Sequence, residues 1–124
     1  MPLDLTLTLG GQSTHLTAAQ KAPNSCGVSQ GSFGASLFTT APVGYNITLA
    51  TGTASGTATV NANDPNNQTS ADVAIQKNPS DTPTNLLATT GTITVNSDGR
   101  SGSVNVDLFG GTGEAGHLSG TFTC

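Results

Sequence analysis

Two histidines, two cysteines and seven acidic residues are the groups in this 124-residue chain best equipped for catalysis or metal binding. Imidazole titrates near neutral pH and ligates metals, so His15 and His117 are the first candidates for an acid–base group or a metal pair. They stand near opposite ends of the chain, beside Thr and Leu, with no carboxylate at ligand spacing from either; Glu114 lies in a glycine-rich stretch. Both read as surface or hydrogen-bonded histidines. Nucleophilic catalysis needs a Ser or Cys, a base and an orienting group. Serines are plentiful, yet no Gly-x-Ser-x-Gly elbow occurs, and Gly31-Ser32-Phe33-Gly34 has a different form. No two carboxylates stand out as a glycoside-hydrolysing pair. The segment 61–67 offers oxygens to calcium but only one carboxylate, Asp64, and its Asp64-Pro65-Asn66-Asn67 run is turn chemistry. Asn46-Ile47-Thr48 and Asn67-Gln68-Thr69 fit the N-glycosylation pattern, with Asn67 the better acceptor because Asn46 falls inside a strand. The expectation is a protein that is not an enzyme and has no catalytic residue, metal ligand or cofactor.

Cys26 and Cys124 form no Cys-x-x-Cys motif, and only the two distant histidines are at hand as further ligands. A Cys26 to Cys124 disulfide is the simpler reading; two unpaired thiols in a reducing compartment are the alternative. Closing a loop of this length removes about 4 to 5 kcal/mol of unfolded-state entropy on the chain-entropy model, comparable to the stability of a small domain. It also pins a carboxyl end that otherwise frays.

The elements that would position these groups are strands. Leu3, Leu5, Leu7 and Leu9 alternate with Asp4, Thr6 and Thr8, a period of two with one apolar face. Gly10-Gly11 turns the chain, and residues 14–17 return beside it. Residues 21–24, with Pro23, read as a loop. Residues 26–40 suggest one or two short strands about a turn at Gly31. Tyr45, Ile47 and Leu49 make a further alternating strand, followed by a turn at 52–56 and strands at 57–60 and 71–75. Residues 61–70 and 78–85 read as loops, and Leu86 and Leu87 as a return to the core. Three β-patterned runs close the chain, at 90–95, 103–108 and 117–124, with Asp98-Gly99 as a hairpin signal between the first two. In the last run Leu118, Gly120, Phe122 and Cys124 share one face. This count predicts one all-β domain over residues 1–124, an antiparallel sandwich of two sheets with about seven to nine strands; a closed β-barrel is the alternative.

Composition limits the partners. Charged residues make up 8% of the chain, and with only Lys21, Lys77 and Arg100 as strong cations a phosphate backbone finds no basic patch, which argues against nucleic acid. The formal charge of −4 comes from scattered acids and reads as a solvated surface. No apolar run approaches the roughly 20 residues of a membrane span, and Met1-Pro2-Leu3-Asp4 lacks the basic start and apolar stretch of a signal peptide. A surface built from Thr, Ser, Asn and Gly suits a secreted or cell-surface location, with any export or anchor segment removed ahead of Met1.

The early alternating strand and glycine turn, then Cys26, then Asp98-Gly99-Arg100, Gly102-Ser103-Val104 and the closing Gly120-Thr121-Phe122-Thr123-Cys124 make an order that resembles the mycobacterial nineteen-kilodalton lipoprotein antigen family and related actinobacterial surface lipoproteins. The resemblance covers the cysteine placement and the last third of the chain. It implies a lipid-anchored envelope protein with a compact β domain, no known catalysis, and contacts to lipids or host receptors. The chain departs from that family in carrying no lipidation cysteine near its start. The leading expectation is a non-enzymatic secreted or cell-envelope β domain for surface display or binding of a protein, lipid or glycan. A fibre or pilin-like subunit that self-assembles by donating the Leu3, Leu5, Leu7 and Leu9 strand is a second reading. An apolar small-ligand or lipid binder with a pocket lined by Phe33, Phe38, Leu49 and Phe122 is a third.

Overall fold

A computed structural model describes residues 3–17, 25–39, 44–76, 84–110 and 115–123. They form ten strands and no helix: β1 (Leu3–Leu9), β2 (Gln12–Leu16), β3 (Ser25–Ser29), β4 (Ser32–Thr39), β5 (Gly44–Thr51), β6 (Gly56–Asn61), β7 (Ser70–Gln76), β8 (Thr84–Val95), β9 (Ser101–Gly110) and β10 (Ala115–Thr123). All pairings are antiparallel, in the order β2-β1-β10-β9-β8-β7-β5-β4-β3, with β6 beside β8. The all-β expectation is met with more strands than the seven to nine counted. Hydrogen bonding runs through one continuous curled path, a half-barrel, and does not divide into two sheets.

Alternation writes the two faces. Leu3, Leu5 and Leu7 are buried on β1, as are Phe33, Ala35 and Leu37 on β4, Tyr45, Ile47 and Leu49 on β5, and Val104, Val106 and Leu108 on β9. The registers stack these side chains in rows across the strands, such as Leu7 opposite Leu118 and Leu118 opposite Val106. One contiguous core results. Phe33 and Phe122 stack with ring centroids 5.8 Å apart, so the curl brings β4 and β10 together across the interior although they lie far apart along the sheet.

Glycine makes the tight curvature possible. Gly120 has φ +133°, and a Cβ there would overlap the Asp4 carbonyl oxygen on β1; Gly91, at φ +131°, sits as closely against the Asn105 carbonyl on β9. Strands bend where no side chain separates their backbones. β8 adds an irregularity: the register with β9 shifts between Ala88 and Thr90, which lets its first part pair with β7 and its second with β6. The loop expected to end at Asn85 and the separate strand expected from Thr90 both reach into β8.

Candidate functional site

Each histidine meets a carboxylate that chain spacing did not reveal. His15 on β2 lies 2.6 Å from Asp4 on β1, and His117 on β10 lies 2.8 Å from Asp107, directly opposite on β9. The Thr90 hydroxyl also donates to Asp107, at 3.3 Å. The His117 contact, with the Thr90 bond as a smaller contribution, holds the Asp107 carboxyl below the ordinary range. These are separate, exposed pairs on the outer face, of a kind that contributes little to stability. Among the described residues no three His, Cys, Asp or Glu side chains gather as a metal site.

The segment 61–67 uses its oxygens for its own turns. Asn61 Oδ1 accepts the Asn63 amide at 3.1 Å, and Asp64 Oδ1 accepts the Asn66 amide at 3.0 Å. Asn67, the expected glycan acceptor, donates its side-chain amide to the Thr59 carbonyl at 2.8 Å while its Oδ1 accepts the Thr69 amide at 2.8 Å. Its nitrogen is engaged, and Asn46 lies inside a strand, β5, as expected.

Cys26 lies on β3 opposite Ala35 of β4, half-buried against the core. Cys124 lies outside the described residues, one position beyond β10. Of the expected pocket residues, Phe33, Leu49 and Phe122 are buried in the core, and the Phe38 side chain lies outside the described residues. An open depression of about 640 Å³ lies over β3, β4 and β5, bounded by Val28, Phe33, Ser36, Thr48 and Leu49, without Phe122 in its lining. The strand expected to be donated, β1, is held between β2 and β10 with Leu3, Leu5 and Leu7 at most 1% exposed.

The outer face carries a feature that patterning hid. Leu86 enters the core as expected, but Leu87 is 57% exposed and stands directly opposite Phe109, itself 53% exposed. On the other side of Leu87 lies Asp72 of β7, and beyond it Thr48 of β5; Ala115 flanks Phe109 on β10. The row from Thr48 to Phe109 thus crosses four adjacent strands, about 15 Å at the usual strand spacing. Thr48 is also among the residues that border the depression. Asp72 Oδ1 is buried without a hydrogen-bond partner, and burial pushes its carboxyl above the ordinary range. A buried acceptor left without a donor is costly, typically about 1–3 kcal/mol. Leu87 and Phe109 thus form an exposed apolar pair in register with Asp72.

No family model matches the chain, and neither a curated protein nor a solved structure matches it.

Proposed function

We propose that this chain is a non-enzymatic secreted or cell-envelope β domain that binds a partner through the outer face of its sheet, around Asp72, Leu87 and Phe109. The observation that carries this reading is the cross-strand Leu87–Phe109 pair, two large apolar side chains turned to solvent beside an acceptor without a donor. A strand's outer positions elsewhere in this protein are mostly Thr, Ser, Asn and Asp, so this patch departs from the local rule.

Export is supported by the cysteines. A Cys26 to Cys124 disulfide would join the edge strand β3 to the end of β10, and the Phe33–Phe122 stack draws those regions together. Such a bridge would close the half-barrel toward a barrel and suits an oxidising compartment. The likeness to actinobacterial surface lipoproteins points the same way. Self-assembly by donation of β1 has less support, because that strand is an interior member of the sheet.

The test is amide chemical-shift mapping against three probes: phosphatidylglycerol vesicles, cellohexaose and a basic peptide. Saturable shifts centred on Leu87 and Phe109 with any of them, lost in Phe109→Ser, support the reading. Binding mapped wholly elsewhere sinks it.

A further inference from the structure

We infer that the partner is a basic protein segment, one that sets a Lys or Arg beside an apolar side chain, and that its cationic head meets Asp72 while its apolar part covers Leu87 and Phe109. This rests on the binding role proposed above and adds the partner's chemistry.

Three observations carry it. Asp72 stands in register with the patch, partly exposed, while its Oδ1 is buried and finds no donor among the described residues. No described group offsets this carboxylate's charge, and an ammonium or guanidinium at its exposed side would do so with a stronger hydrogen bond than a neutral hydroxyl makes. Next, the apolar surface lies beside the carboxylate rather than around it. Asp72 is opposite Leu87, which is opposite Phe109, so a long cationic side chain can lay its methylenes on Leu87 and reach Asp72 with its head. The Phe109 face adds a favourable surface for a second cation.

The surroundings are acidic too. Asp107 occupies the next outward position to Phe109 along β9, and the chain carries a formal charge of −4. Among the described residues Arg100 is the one Lys or Arg, and it sits in the β8–β9 turn, at the far end of those strands from Leu87 and Phe109. Nothing described at the patch repels a cation. The same balance disfavours a second copy of this chain, which would bring its own excess of acids, and an anionic lipid surface.

Titrating the ¹⁵N-labelled protein with acetyl-Leu-Lys-Leu-Lys-Leu-Lys-amide tests this, with the Ser-for-Lys peptide, cellohexaose and phosphatidylglycerol vesicles as comparisons. The expected result is saturable shifts at the amides of Asp72, Leu87 and Phe109 with the Lys peptide. Asp72→Asn should weaken that binding about tenfold, and Phe109→Ser should abolish it. Equal binding of the Ser peptide, or patch binding by cellohexaose or vesicles in place of the Lys peptide, overturns the basic-partner inference and leaves the binding role standing. Concentration-dependent shifts at the patch without any probe overturn it in favour of a second copy. Silence of the patch toward every probe overturns both.

Discussion

Asp72 and Gln30 are the residues where local chemistry conflicts with the fold. Burial raises the Asp72 carboxyl above its ordinary range, so the folded state holds that proton more tightly than the unfolded chain does. The sign follows by linkage: between the unfolded and folded values stability falls as pH rises, and above the folded value the full cost is present. Asp72→Asn should therefore be more stable than the native protein at pH 7 in urea unfolding, and the difference should shrink as pH falls through the raised value toward the ordinary carboxylate range. A variant that gains stability while losing partner affinity would mark Asp72 as retained for binding. Gln30 has φ 53° and precedes Gly31 at φ 78° in the β3–β4 turn, a two-residue type I′ geometry that disfavours side chains. Gln30→Gly should raise stability by about 0.5–1 kcal/mol, read from the urea midpoint at unchanged slope.

Among the elements, β10 carries the greatest constraint. It joins β1 to β9, and Gly120 lets β1 approach its backbone. Gly120→Ala would place a methyl on the Asp4 carbonyl at a backbone angle alanine avoids, and should cost about 3 kcal/mol or more in thermal or urea unfolding. Gly34, with open space around its missing side chain, provides the control; alanine there should change stability by less than about 0.5 kcal/mol. Much of this architecture was legible in the chain. The Leu3 to Leu9 alternation is β1 to the residue, Tyr45, Ile47 and Leu49 mark β5, and Asp98-Gly99 sits in the β8–β9 turn, where Asp98 accepts the Arg100 amide at 2.9 Å. β8 was read only in part because adjacent Leu86 and Leu87 break the period of two, and its register shift at Ala88/Thr90 leaves no distinctive residue type. The candidate site was harder still. Leu87 and Phe109 stand 22 positions apart, and Asp107 and His117 ten apart, so only the strand register brings them together. Periodicity assigns a face to a residue within its own strand; it does not name its cross-strand neighbour.

At the scale of the whole molecule, one sheet must bend far enough to enclose its own core. The proposed Cys26 to Cys124 bridge would fasten that bend, and it makes a measurable claim. Intact mass should rise by about two daltons on reduction of a monomer, and reduction should remove up to about 4–5 kcal/mol of stability. An unchanged mass under reductant would remove the bridge and with it the main support for export. Strand order has a further consequence, for the timing of folding. Among the described strands the hairpin of β1 and β2 joins the sheet only through β10, with Leu3 opposite Phe122. Pairing between the two ends of a chain is slow, because a long loop must close before any contact rewards it. The β1–β2 hairpin therefore stays undocked until β10 is in place, which puts the closing of this end of the sheet late in folding.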